Sequence, residues 1–221
     1  EFKGLPKTFV EPGVKNKFIY SREISRRLAK LLHAIDTNCH TDSSRLFRIL
    51  FSDIAIEVSN IVISGKGRRY RKNWESRKNN VESIDHLFRE KALNAISDIS
   101  RYGVRQETEY KLIRGDSREL ISKIDQQDVC VFSPPYPNSF DYTDVYNVEL
   151  WLLGYLKNTE NNRFLREQTL RSHVQIKREY TSKIENSKYL KKTYKNLCQS
   201  RKNLWSKNIP EMILSYFSDM V

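Results

Sequence analysis

Cysteine is scarce in this sequence: Cys39, Cys130 and Cys198 are the three in 221 residues. They form no Cys-x-x-Cys pair and no disulfide framework, which fits a reducing, cytoplasmic setting. No apolar run approaches the roughly 20 residues needed to span a bilayer, so no membrane partner is expected. The opening Glu1-Phe2-Lys3-Gly4 has neither a signal-peptide core nor an initiator methionine, so the chain is read as a fragment or a processed product. Acidic residues are outnumbered, 27 Asp and Glu against 39 Lys and Arg, giving a net charge of +12. That excess favours a polyanionic partner, most simply nucleic acid. The length suits one large domain or two small ones, and no internal repeat or low-complexity tract is present.

What is present first reads as helix. Ile24, Leu28, Leu31, Leu32 and Ile35 share a helical face, with Ser21 as N-cap. Thr41 or Asp42 caps a second predicted helix running to about Ile63, with Leu46, Leu50, Ile54, Val58 and Ile61 as its apolar positions. A third covers about 83–101, with Ile84, Leu87, Phe88, Ala95, Ile96 and Ile99 as its face and Gly103 as its stop. Between the last two, the basic stretch 65–78 reads as a loop.

The character changes near Glu109. Residues 110–113 form a short strand candidate ending in Gly115-Asp116-Ser117, and a short helix follows to Ile124. A second strand candidate, 129–132, is apolar and includes Cys130, read as buried. Strand, helix, strand at this spacing predicts an α/β crossover with parallel strands. The second strand runs into Ser133-Pro134-Pro135-Tyr136. Two prolines fix two φ angles and remove two N–H donors, leaving free carbonyls and an aromatic ring on a rigid spur. An apolar helix is expected over 145–156, then basic helical chain, then a last helix opened by Pro210.

Ser133-Pro134-Pro135-Tyr136 resembles the catalytic motif of the DNA amino-methyltransferases, which methylate the exocyclic nitrogen of cytosine (N4) or adenine (N6). The Gly115-Asp116-Ser117-Arg118 run looks like their third-strand motif. Residues 137–155 and Leu170-Arg171-Ser172-His173-Val174 resemble one subset of these enzymes. The resemblance implies an α/β fold, a partial Rossmann-like S-adenosylmethionine-dependent methyltransferase fold with large helical insertions, predominantly helical by residue count. It implies DNA as substrate, S-adenosylmethionine as cofactor and a place in restriction–modification or phage defence. Ser133, Pro134, Pro135 and Tyr136 would be catalytic, and Asp116 and Ser117 would bind the cofactor. Serine in the first motif position leans towards cytosine N4.

The chemistry is consistent with the motif. An exocyclic amine is a poor nucleophile because its lone pair is delocalised into the ring. The Ser133 hydroxyl and Pro134 carbonyl can accept hydrogen bonds from its N–H groups, and Tyr136 can stack on a base taken out of the duplex. Methylation at cytosine carbon 5 is excluded, because it uses a cysteine that follows proline, and none of the three does.

One part of the pattern is missing. The Gly-rich cofactor loop of the family, and the acidic end of its second strand, have no counterpart. The chain is therefore expected to be the central part of such an enzyme, with the loop before Glu1 and further strands after Val221. A cofactor-binding half or a restriction subunit is a further expected partner. A non-catalytic DNA-binding remnant, or one half of a split enzyme, is the alternative. The expected organisation is a helical, DNA-contacting region at 1–105, an α/β core at 106–158 and a basic helical region at 159–221.

Arg68, Arg69, Arg71 and Lys72, interleaved with Tyr70 and Trp74, suit phosphate contacts plus stacking, or else form a solvated loop. Asp141, Tyr142 and Tyr146 either line a base or DNA pocket or pack a loop on its own rings. Lysines and arginines between 177 and 207 either track a DNA backbone or form a wet helix face. Glu149, Trp151 and His173 read as structural. His33, Cys39 and His40 lack metal-ligand spacing.

Overall fold

Ser21 starts the first long helix, its hydroxyl accepting from the Ile24 amide at 3.3 Å, which satisfies a donor the helix itself leaves unpaired. In the computed structural model the helices are α1 Arg22–Asn38, α2 Thr41–Glu57, α3 Val81–Tyr102, α4 Ser117–Leu120, α5 Asn147–Leu152, α6 Thr159–Gln168, α7 Lys188–Gln199 and α8 Ile209–Asp219. Strands β1 Ile61–Ser64 and β2 Gly67–Tyr70 lie between α2 and α3. The structure describes residues 2–64, 67–77, 80–103, 109–180 and 187–221. The chain divides into two units, Glu1–Gln106 with Thr143–Phe164, and Glu107–Tyr142 with Leu165–Val221.

The first unit has an apolar interior. Helix α1 buries Ile24, Leu28, Leu32 and Ile35, the expected stripe. Helix α2 adds Phe51, Ile54 and Ala55, and α5 adds Val148, Trp151 and Leu152. The Trp151 ring meets Phe9 edge-on with centroids 6.4 Å apart. Tyr20, fully buried, donates its hydroxyl to the Ala55 carbonyl at 2.9 Å.

Helix α2 stops six residues short of Ile63, at Glu57. Ser59 turns back, donating its hydroxyl to the Ile56 carbonyl at 2.6 Å. The β-branched run Ile61-Val62-Ile63 that follows fits a pleated strand better than another helical turn. Strands β1 and β2 pair antiparallel, with Ile61 opposite Tyr70 and Ser64 opposite Gly67. Residues 67–70 of the basic stretch expected as a loop thus form a hairpin arm; its Gly65, Lys66 and Lys78 lie outside the described residues. Helix α3 is capped by Asn80, which accepts from the Glu82 amide at 3.0 Å. Of its expected face only Ile84 is buried, and Ile96 and Ile99 are exposed; Leu93, which lies outside that expected face, is exposed as well.

The second unit differs from expectation around its two strand candidates. Residues 110–113 and 129–132 are non-helical chain with no ladder, so the parallel pair is not formed among the described residues. Leu112, Val129, Val131 and Phe132 are exposed, Val131 by 92%, and so is Cys130, expected to be buried. Two short parallel runs alone cannot cover both faces of a sheet, which is why β propensity there does not become structure. Among the described residues the class is therefore mixed and mostly helical, with a small two-stranded antiparallel sheet. Helices α7 and α8 pack together, burying Leu190, Met212 and Tyr216. Pro210 stands in the first turn of α8, as expected. No helix among the described residues is long and apolar enough to cross a membrane.

The contrast between α1 and α3 is measurable. Leu28 is 0% exposed and Leu93 56%. Leu28→Ala should lower unfolding stability by about 2–5 kcal/mol, and Leu93→Ala should change it by less than about 0.5 kcal/mol, read from urea denaturation midpoints.

Candidate functional site

Each unit carries one set of candidate residues. In the second unit, Ser133 and Tyr136 are exposed, Tyr136 by 61%, and Pro134 and Pro135 are half-buried. The Tyr136 amide donates to the Tyr142 hydroxyl at 3.2 Å. The Tyr142 ring lies edge-on to Phe140, centroids 4.8 Å apart. Tyr142, expected at a DNA surface, thus holds the backbone of the motif tyrosine while its own ring packs on a neighbour.

Just beyond the motif the chain is fastened to residues 172–175. Ser139 is buried with φ of 60°, in the left-handed region uncommon for a residue with a Cβ. All its hydrogen-bonding groups are used. Its amide donates to the Ser172 carbonyl at 3.0 Å. Its hydroxyl accepts from the Val174 amide at 3.2 Å, and its carbonyl accepts from the Gln175 side chain. Two residues on, Asp141 is buried and accepts from Arg166 Nε at 2.7 Å and from the same guanidinium's Nη2. His173 Nε2 lies 3.8 Å from Asp141 and accepts from Arg178 at 3.0 Å. A guanidinium can only donate, so Nε2 carries the lone pair and the imidazole is neutral.

Asp116 caps α4, its carboxylate accepting from the Arg118 amide at 2.9 Å and from Arg118 Nε at 2.9 Å. The Arg118 hydrogen bonds hold its carboxyl below the usual range. Arg118 also donates to the Gln168 carbonyl at 2.7 Å. Asp116 is thus engaged as a helix cap and ion-pair partner, and Ser117 is the first residue of that helix. The ladder that would set the ends of 110–113 and 129–132 side by side is absent among the described residues.

In the first unit, the four cations expected at a DNA surface separate into two kinds. Arg71 donates from Nε to the Ser59 carbonyl at 3.1 Å and from Nη2 to the Ile56 carbonyl at 3.3 Å. It closes the C-terminus of α2, where unpaired carbonyls face a cation. Arg68 pairs with Asp144 at 3.4 Å. Arg69 and Lys72 point outward, with no ionic partner among the described residues. The rings between them are occupied: Trp74 lies edge-on to Phe18 and Tyr70, each at 5.5 Å, and the Lys17 ammonium sits 4.9 Å above Tyr70. Tyr146 is exposed, and Trp151 is in the core as expected. Glu149 Oε2 is buried with no hydrogen-bond partner, and burial raises its carboxyl.

Among the described residues no group of His, Cys, Asp and Glu could hold a metal ion. No family model, no curated protein and no solved structure matches this chain.

Sequence reasoning missed Ser139, Gln175, Arg166 and Arg178. The one local signal is the Pro137-Asn138-Ser139 turn composition; their partners lie 25 to 36 residues away for Asp141–Arg166 and Ser139–Gln175.

The buried histidine gives a pH test. Burial pushes the His173 imidazole from 6.5 down to about 4; Asp141 opposes this, and Arg178 and Arg166 reinforce it. The unfolded chain binds the proton first as pH falls, so this stability is present above about 6.5 and is lost as pH drops through about 4. Hydrogen exchange at the Ser139 and Val174 amides should report a loss of up to about 3 kcal/mol over that window, and His173→Gln should flatten it.

Proposed function

We propose that this chain is the base-binding part of a DNA amino-methyltransferase acting on cytosine N4 or adenine N6. The observation that carries the reading is Ser133-Pro134-Pro135-Tyr136, with Ser133 and Tyr136 exposed and the following chain fastened at Ser139. The Ser133 hydroxyl and the Pro134 carbonyl accept from the target amine, which draws its nitrogen towards pyramidal geometry and frees the lone pair. Tyr136 stacks on the extruded base. The prolines and the Tyr142 hydroxyl hold these groups before the base arrives, so little ordering is left for the encounter. Arg69 and Lys72 supply phosphate contacts in the other unit.

The methyl donor of this class is S-adenosylmethionine. The residues present do not make its site: Asp116 is engaged by its own helix and Arg118, and no Gly-rich loop accompanies it. In this reading the cofactor is held by chain that these residues do not include, either flanking sequence or a separate half. The same reading accounts for the bare apolar runs 110–113 and 129–132, as strands of a Rossmann-like parallel sheet whose other strands come from that part. The enzyme would serve restriction–modification or phage defence in the cytoplasm. The engagement of Asp116 also favours the second reading, a DNA-binding remnant that transfers nothing.

The complete enzyme decides the matter. Ser133→Ala and Tyr136→Ala should each abolish methyl transfer, followed as methylated nucleoside by mass spectrometry. Both should leave salt-sensitive DNA binding within about twofold of the parent, since neither residue neutralises a phosphate. Undiminished methylation in both variants would sink the assignment of this motif, and absence of methylation with any partner would leave the remnant.

A further inference from the structure

Helix α7 reads Lys188-Tyr-Leu-Lys-Lys-Thr-Tyr-Lys-Asn-Leu-Cys-Gln199 and contains four lysines and no acid. Lys188, Lys191, Lys192 and Lys195 fall at i, i+3, i+4 and i+7, within an arc of about 100° at 3.6 residues per turn. All four are exposed, and none has an acidic partner among the described residues. The opposite side is taken: Leu190 is buried, Tyr194 donates to Glu211 at 3.3 Å, and α7 packs against α8.

This arrangement works against the helix that carries it. Like charges three and four residues apart repel. Lys188 and Lys191 lie in the first turn, where the helix dipole already presents positive charge. The Ser187 hydroxyl caps the helix, accepting from the Leu190 amide at 3.2 Å, but no acidic side chain among the described residues pairs with the lysines. A polyanion laid along the face offsets both the mutual repulsion and the dipole.

We infer that the Lys188–Lys191–Lys192–Lys195 face of α7 is a docking surface for the phosphate backbone of duplex DNA. The stripe is about 10 Å long, and duplex DNA carries a charge about every 1.7 Å of its axis. A bilayer fits less well, because an interfacial helix must bury its apolar side in lipid, and here that side packs on α8. The inference rests on the DNA-binding part of the proposed function and not on its chemistry. It adds a contact in the second unit to the outward cations of the first.

The test is anisotropy titration of a labelled mixed-sequence duplex, from about 50 to about 200 mM salt. The combined Lys→Gln change at the four positions should lower the slope of log K against log salt by about 3–4, each neutralised phosphate contributing about 0.9. The combined Lys→Arg change should keep the parent slope. The salt slope involves no methyl transfer, so failure of this surface and failure of the methyl-transfer reading are separate results. A parent slope in the Gln variant overturns the inference. So does a Gln variant that loses binding to phosphatidylserine-containing vesicles while keeping its DNA slope. Should circular dichroism show lost helicity in the combined variant, Lys192→Gln and Lys195→Gln taken singly decide: a slope lower by about 1 in each supports the surface, and an unchanged slope in both overturns it.

Discussion

A buried carboxylate, Asp141, anchors the motif loop of the second unit. The apolar interior there is small, formed mainly where α7 meets α8. Around the motif loop the buried residues are instead polar: Ser139, Asp141, Ser172 and His173. Asp141 can be buried because Arg166 meets it with two donors, and an unpaired carboxylate in that place would be costly. The pair ties the chain just after the motif to the C-terminal end of α6. Ser139 and residues 172–175 then close the other side of the loop. A polar interior of this kind is specific but brittle, because each member left unpaired carries its full desolvation cost.

Much of the first unit could be read from one-dimensional pattern. The α1 stripe and the Ser21 cap are local, set by spacing and by one hydroxyl, and both are found. The end of α2 could not be read in this way. Val58 and Ile61 continue a four-residue repeat and are buried, but the chain reaches those positions through a turn and a strand. Burial at the right spacing does not distinguish the two routes. The runs 110–113 and 129–132 show the converse. Their composition suits strands, yet a strand exists only with a ladder partner, and none is present among the described residues. The motif could be quoted from the sequence, but the groups that hold it could not. Apart from Tyr142, those lie tens of residues away, and they combine the Arg166 and Gln175 side chains with the Ser172 carbonyl and the Val174 amide, a pairing that residue type alone does not announce.

The arginines illustrate the same limit. Arg68, Arg69 and Arg71 are equivalent as letters. In the fold, Arg71 closes a helix end and Arg68 meets Asp144, while Arg69 is exposed and has no ionic partner among the described residues. The alternation of β2 sends Arg68 and Arg69 to opposite faces. Net charge therefore overstates the surface available to a polyanion, and among the described residues α7 carries more cations without an ionic partner than the hairpin does.

The run Asp128-Val129-Cys130-Val131-Phe132 has a handling consequence. Its apolar side chains and thiol are bare, and no proline interrupts it. Short β-prone segments of this kind template edge-to-edge pairing between copies. An exposed thiol in the same segment adds a covalent route to the same end. The segment beside the motif is thus a self-association hazard as the polypeptide is concentrated, and reducing conditions belong in any preparation of it.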